Sequence, residues 1–256
     1  MKEFCVATYN VRTDTDADRD WSWEYRKDKV IALITYHDWD VFGVQEISPN
    51  QTKDLSNIEG YDSFCVDRDG DGSGEGLGIF YKNNRFTCLD RGHFWLSDTP
   101  FSSSIHPKAA YKRIALWSIL EDKENAKQVL VINTHLDNDS EIARKAGMKI
   151  LLQLLQEKIT KYPTILLGDF NSEEHESFHQ DLKKIFIYGK NQDGIMQYGP
   201  RGTFQNFNYE MDWQDLEDID YILYKEMTCI KYGVLTDSWN CRFLSDHFPV
   251  EATLKF

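Results

Sequence analysis

The chain has 256 residues and carries 42 acidic against 29 basic side chains, a formal net charge of -13 at pH 7. That length buries a sizeable core as one α/β domain over residues 1–256. The acidic balance and the lack of a Lys/Arg stripe argue against extensive gripping of duplex DNA, which requires cations to displace phosphate counterions.

Met1-Lys2-Glu3-Phe4-Cys5 leads directly into a strand-like segment, and no apolar run approaches the ~18 residues of a membrane span. A cytoplasmic protein is expected, and nothing in the sequence calls for an obligate protein partner. The five cysteines show no C-x-x-C spacing, which argues against a zinc knuckle and a disulfide framework. Cys5 and Cys65 read as small core residues.

The first strand, residues 4–8, leads to Asn10. An acidic, turn-rich loop follows at 14–20, and residues 21–34 place apolar side chains at a spacing near 3.6, as a helix packed on a sheet does. Arg26-Lys27, like Lys183-Lys184, reads as a solvated helix face beside acids. Residues 40–46 form a strand ending in Glu46, 49–58 a short helix and 61–66 another strand. A loop rich in glycine and acids, 67–76, precedes the strand 77–81. Residues 86–97 suggest a strand pair holding His93, expected to be structural. After a variable loop at 98–112, Arg113 stands at the mouth of the next strand, where its guanidinium can fork onto a phosphate or pair with a nearby acid.

Val129-Leu130-Val131-Ile132 is a core strand, and Asn133-Thr134-His135-Leu136 its polar exit. Residues 138–161 predict a long helix with Ile142, Ala146, Ile150, Leu151, Leu154, Leu155 and Ile159 as its buried stripe, and Pro163 returns the chain to extended structure. Thr164-Ile165-Leu166-Leu167-Gly168-Asp169-Phe170-Asn171 is the stretch around which the chain is organised: an apolar run stops at a carboxylate and an amide. Strand ends open onto loops, so this is how an α/β fold delivers polar groups to a site. A polar segment at 188–214 carries Arg201-Gly202-Thr203-Phe204, whose aromatic residues either cap a substrate or pack under the loop. Strand-like segments then end at Asp220 and lead to Asp246-His247.

Taken in order, T-Y-N-V-R around Asn10, G-V-Q-E at Glu46, N-T-H-L at His135, G-D-F-N at Asp169 and Asn171, I-D-Y-I at Asp220 and S-D-H-F-P-V at Asp246 and His247 resemble the endonuclease/exonuclease/phosphatase superfamily of metal-dependent phosphoesterases. Each match is short, but independent matches in one order multiply their improbability. The resemblance implies a four-layer α/β sandwich, two mixed sheets face to face with helices outside. It also implies that Glu75, just ahead of the strand 77–81, orients the first histidine.

Phosphate esters resist hydrolysis because water must attack an already anionic phosphorus, so the site must neutralise charge, position water and assist the leaving oxygen. Glu46, Asn10 and Asp246 are hard oxygen ligands suited to Mg2+ or Mn2+. Asp169 is placed to orient or deprotonate water, and Asn171 to donate to a non-bridging oxygen. His135 and His247 supply imidazoles for phosphoryl stabilisation or proton transfer, with Asp220 fixing the tautomer of His247 and raising its pKa. The expected function is hydrolysis of a phosphate ester, monoester or diester, with a small phosphorylated metabolite, sugar or lipid head group favoured over a short or single-stranded nucleic acid.

Two rival motifs stand out. Asp67, Asp69, Asp71 and Gly72 fit the early positions of a calcium-binding EF-hand loop, but the closing glutamate is replaced by Gly78 and the flanks are strand-like, so a polar hairpin loop is expected. His175-Glu176-Ser177-Phe178-His179 spells the zinc-protease motif H-E-x-x-H, against which stands an acidic, solvated helix start. A catalytically silent binding protein on the same scaffold is the remaining alternative.

Overall fold

The computed structural model describes residues 3–190 and 192–256; Met1 and Lys2 of the predicted opening segment and Asn191 of the predicted polar segment lie outside them. In chain order its elements are β1 (Phe4–Asn10), α1 (Trp23–His37), β2 (Val41–Ile47), α2 (Pro49–Leu55), β3 (Tyr61–Asp67), β4 (Gly76–Lys82), β5 (Phe86–Trp95), β6 (Ile114–Asp122), β7 (Lys127–His135), α3 (Glu141–Lys161), β8 (Thr164–Asp169) and α4 (Phe178–Leu182). Then follow β9 (Ile187–Tyr188), β10 (Met196–Tyr198), β11 (Asp220–Lys225), β12 (Thr228–Val234), β13 (Ser238–Trp239), β14 (Arg242–Phe243) and β15 (Val250–Lys255). One sheet has the order β10-β12-β15-β1-β2-β4-β3, the other β5-β6-β7-β8-β11-β9, and β13-β14 form a small ribbon.

The two large sheets face each other. Val6, Val41, Ile79, Val131, Leu167 and Ile222 share one core between them. Leu130, Ile132 and Leu166, the alternate residues of β7 and β8, join Met148, Leu151 and Leu155 of α3 in a second core. Val30, Leu33 and Ile34 of α1 pack with Phe42, Val44 and Phe80 in a third. Successive strand residues point to opposite faces, so a strand covered on both sides must be apolar throughout, and this explains the unbroken runs of β7 and β8. The four layers of the expected sandwich are present.

Helix limits follow local chemistry. The Ser140 hydroxyl accepts from the Ala143 N–H at 3.2 Å and starts α3, a cap worth about 1 kcal/mol. α1 ends at Asp38, whose φ of 53° is left-handed and whose N–H donates to the Ile34 carbonyl.

Buried amides join the sheets. Asn133 on β7 donates to the carbonyls of Val44 at 3.0 Å and Gly78 at 2.8 Å across the interface, and Gln45 on β2 donates to the Asn133 oxygen at 2.8 Å and to the Thr8 hydroxyl at 3.0 Å. The contact needs Gly43, because a Cβ there would lie 2.1 Å from Leu167 Cδ1 and 2.9 Å from Asn133 Cγ.

Several sequence expectations are corrected. Residues 86–95 form one long strand, not a pair. The buried face of α3 is Ala143, Arg144, Gly147, Met148, Leu151, Leu155 and Ile159, while Ile142 is exposed. The helix is rotated because Arg144 turns inward to a buried ion pair with Glu176 and Gly147 sits 3.3 Å, at its absent Cβ, from Leu96. Arg26 is fully buried and not a solvated face. Its guanidinium donates to the carbonyls of Val11, Arg12, Trp21 and Leu244, tying α1 to the exits of β1 and of the segment before Asp246. Cys5 and Cys65 are half-buried instead of fully in the core.

Candidate active site

Three strand ends of the second sheet lie side by side in register. His135 on β7 pairs with Asp169 on β8, and Asp169 with Asp220 on β11. From the first sheet, Asn10 ends β1 and Glu46 lies near the end of β2, so the two sheets share one mouth. The β2–β4 register shifts between Val44 and Ile47, and Glu46 sits there at φ 63°. A bulge of this kind re-aims a side chain, and its strained backbone marks a position held by its surroundings. Arg12 (φ 58°) and Asn171 (φ 48°) are left-handed at the same mouth. Gly168 must be glycine: its φ is 143°, and a Cβ would lie 1.9 Å from the Thr134 carbonyl oxygen.

The polar groups converge around Asp169. Its Oδ2 accepts from Asn10 Nδ2 at 3.0 Å and lies 3.4 Å from His135 Nε2 and 3.8 Å from His247 Nε2. Asn10 Nδ2 also donates to Glu46 Oε1 at 2.9 Å, and Glu46 Oε2 accepts the Thr13 N–H at 3.2 Å. His247 Nδ1 and Asp220 Oδ2 are 2.8 Å apart, as predicted, and the Thr203 hydroxyl donates to that same oxygen at 2.6 Å.

Burial and charge split the titrations. Burial, then the repulsion of Asp220, raises Asp169 to about 7. Burial lowers His247, but the nearby carboxylates of Asp220, Asp169 and Asp246 outweigh it and raise it to about 10. His135 goes the other way, held well below its ordinary value by burial and by Arg113 and Arg68. One imidazole is thus a cation and the other neutral at pH 7. Groups driven apart in this way are suited to different acid–base roles.

Some predicted roles meet other partners. Asn10 turns its amide nitrogen to Glu46 and Asp169 while its oxygen accepts the Arg12 N–H at 3.0 Å, so here it bridges two carboxylates that would otherwise repel. Asn171 spends its amide N–H groups on His135 Nε2 at 2.9 Å and the Leu136 carbonyl at 3.1 Å, because its left-handed backbone folds it back over β7. It braces His135 and lines the cleft beside it. Asp246 pairs with Arg12 at 3.3 Å. Glu75 does not touch His135: it binds Arg68 at 2.6 Å.

Arg113 is the outlier. It is 93 % withdrawn from solvent by its relative exposure of 7 %, and among the described residues it forms no ion pair. Nη2 donates to Asn138 Oδ1 at 3.0 Å, while Nε and Nη1 have no partner. Arg113, Arg68, Tyr111, Asn138, Arg12, Glu46, Asp169, His247, Phe204, Asn206 and Glu217 are among the residues lining one cleft of about 500 Å³, a size suited to a small ligand. Thr203, Arg12, Arg68, Asn206 and Glu217 are not singled out by sequence; the first four lie inside stretches read for other features, and Glu217 in none.

The donor set fits a hard divalent cation. Glu46, His135 and Asp169 bring ligand atoms within 4.8 Å of one another, as do Asp169, Asp220 and His247, and the raised Asp169 signals buried negative charge in want of a counter-charge. The rival zinc motif fails. His175 is exposed, His179 is fully buried against Ser172 and Tyr188, Glu176 is paired with Arg144, and α4 begins only at Phe178. The segment is therefore not a zinc site, and Glu176 is not the solvated acid expected of it. The loop between β3 and β4 spends Asp67 on the N–H groups of Gly70 and Gly72 and Asp71 on Ser73, which is a polar hairpin loop.

Residues 7–247 match the model of the Endonuclease/Exonuclease/phosphatase family. A functionally unknown conserved protein from Enterococcus faecalis V583 is similar at 48 % identity and a TM-score of 0.94, covering 98 % of each chain. The mannosyl-6-phosphatase Bt3783 of Bacteroides thetaiotaomicron VPI-5482 is similar at 32 % identity and a TM-score of 0.92, covering 99 % of this chain and 100 % of that one. The Ccr4 3'-5'-exoribonuclease subunit of the CCR4-Not complex of Candida albicans is 25 % identical over 228 residues, 70 % of this chain and 29 % of that protein. The chain thus spans under a third of the length of that relative.

Proposed function

Because the chain belongs to the Endonuclease/Exonuclease/phosphatase family, whose members hydrolyse phosphate esters, we propose that it is a Mg2+- or Mn2+-dependent phosphomonoesterase acting on a small phosphorylated metabolite, a sugar phosphate foremost. The observation that carries this is Arg113. A buried guanidinium without an anion costs several kcal/mol, and a phosphate arriving in the cleft would repay that cost. A terminal monoester offers two negative charges and three non-bridging oxygens, more than a diester. The 32 % identity to a mannosyl-6-phosphatase over 99 % of the chain supports the monoester and the sugar.

Glu46 and Asp169, with His135 beside them, would hold the cation. When bound, it neutralises phosphoryl charge and organises water. Asp169 then orients the attacking water and takes its proton. His247, cationic through Asp220, donates hydrogen bonds to the non-bridging oxygens and a proton toward the departing alkoxide. Thr203 holds Asp220, and Asn171 holds the neutral His135. Water adds its oxygen to phosphorus and its proton ends on the alcohol, so the products are phosphate and a free hydroxyl.

The test is hydrolysis of p-nitrophenyl phosphate and bis(p-nitrophenyl) phosphate with Mg2+, Mn2+ or chelator, by the protein and by Asp169→Asn. Metal-dependent turnover with the monoester preferred, and its loss in the variant, is expected. A preference for the diester would overturn the monoester assignment.

A nuclease is the second reading, favoured by the Ccr4 similarity. Short single-stranded RNA cleaved faster than any monoester would establish it.

A further inference from the structure

The cleft has two unlike walls. On one, Arg68 lies 4.7 Å and Arg113 5.8 Å from the Tyr111 ring, and this wall is cationic. On the other stand Phe204, Asn206 and Glu217. Among the described residues the side chains of Asn206 and Glu217 have neither a hydrogen-bond nor an ion-pair partner, and both are exposed to the cleft.

That second wall is rigid at its base. The N–H groups of Thr203 and Phe204 donate to the Glu217 carbonyl, and those of Gln205 and Asn206 to the Asp246 carbonyl. Phe204 bridges both Glu217 and His247 in β fashion, and its ring lies 4.8 Å from the His247 ring. Asn206 and Phe207 follow with φ of 50° and 51°. Two consecutive left-handed residues that are not glycine, one of them bulky, are strained, and strain of this kind persists where the surroundings over-determine a functional segment.

We propose that Phe204, Asn206 and Glu217 form the subsite for the leaving group, and that it selects an uncharged polyol, the ring of a sugar phosphate, over a nucleoside or a second anionic group. This rests on the phosphomonoesterase reading. A free carboxylate and a free amide accept and donate to vicinal hydroxyls, and an aromatic face next to the catalytic imidazole packs against the C–H face of a pyranose. The Glu217 charge repels a further phosphate on the leaving group, so a nucleic-acid chain or a bisphosphate is selected against by repulsion as much as by lost contacts.

The experiment measures kcat/KM for mannose 6-phosphate, glucose 6-phosphate, fructose 1,6-bisphosphate, adenosine 5'-monophosphate and p-nitrophenyl phosphate with the intact protein, Glu217→Ala, Glu217→Lys and Asn206→Gly, the last retaining freedom for positive φ. Hexose phosphates are expected to exceed adenosine 5'-monophosphate at least tenfold in the intact protein. The ratio of hexose phosphate to p-nitrophenyl phosphate is expected to fall at least tenfold in Glu217→Ala and in Asn206→Gly. Glu217→Lys is expected to raise the relative rate on fructose 1,6-bisphosphate at least fivefold. Ratios unchanged within twofold in all three variants, or a preference for adenosine 5'-monophosphate, would overturn the subsite while leaving the phosphatase standing. Failure of the intact protein on every monoester, p-nitrophenyl phosphate included, would overturn the phosphatase and the subsite together. Each variant is checked by its melting curve, and the exposed positions 206 and 217 keep the fold out of the comparison.

Discussion

Asp220→Asn tests the link between geometry and chemistry most directly. In the native arrangement the Asp220 carboxylate, 2.8 Å from His247 Nδ1, is the largest influence raising that imidazole to about 10 against the pull of burial. Without the carboxylate the largest influence opposing burial is gone, and His247 falls from about 10 toward its ordinary 6.5, held up only by Asp169 and Asp246; a full return would be a change of up to about 5 kcal/mol. In the proposed mechanism the active form is the protonated one, so its population lies below the pKa. At pH 7.5 the native imidazole is essentially all cation, whereas one returned fully to its ordinary value retains about a tenth. Turnover of p-nitrophenyl phosphate at pH 7.5 is therefore expected to drop by up to about tenfold. It should recover as pH is lowered toward 6, because the alkaline limb moves down from near 10 toward 6.5. The acid limb moves the opposite way to a loss of activity, since Asp169 is relieved of its neighbour's repulsion. The assay is a pH–rate profile from 5 to 9.5 for both proteins. A variant whose alkaline limb stays where the native one lies would refute the role of Asp220 and the cationic state of His247.

Asp169→Asn should lower kcat at least about a hundredfold yet stabilise the metal-free fold. A carboxyl raised to about 7 when folded is favourable below its unfolded value and costs stability as pH rises through 7, so at pH 8 in chelator the variant should melt several degrees higher, a gain of up to about 4 kcal/mol. His179 is buried and lowered to about 4 by burial. The unfolded chain therefore binds its proton first, and stability is lost as pH falls from 6.5 toward 4, by about 2 kcal/mol at pH 5. Urea titrations at pH 7 and 5 should show this loss, and His179→Asn should remove it. Gly168→Ala forces a Cβ to within 1.9 Å of a backbone oxygen on β7; a loss of more than about 3 kcal/mol by denaturant titration is expected.

The sequence reveals what lies on a strand and what stands at its end. Apolar runs such as Val129-Leu130-Val131-Ile132 can be read because both faces of β7 are covered, and His135, Asp169 and Asp220 are visible as polar stops whose shared row follows once the strands pair. Partnership is harder to read. Glu75 and Arg113 stand at the mouth where their strand ends put them, but which carboxylate Arg68 takes, and that Arg113 is left without one, depends on packing between segments far apart in sequence. Arg26 looks like any helix-surface cation until carbonyls from three other segments close around it. The phase of α3 departs from its apolar pattern for the same reason: Ile142 is more apolar than Arg144, but Arg144 has a buried partner in Glu176 and Ile142 has none.

The buried amides of Gln45 and Asn133 have a consequence for the sandwich as a whole. Two greasy β-surfaces in contact are nearly indifferent to a sideways offset, since burial is proportional to area and not to alignment. Asn133 reaching the carbonyls of Val44 and Gly78 while receiving Gln45 is possible at one offset alone; at any other, several buried donors and acceptors go unpaired at about 1–3 kcal/mol each. These amides therefore work as a vernier. Asn10 and Glu46 ride on one sheet and His135 and Asp169 on the other, and the vernier, sitting a residue or two behind them, sets the spacing across the mouth.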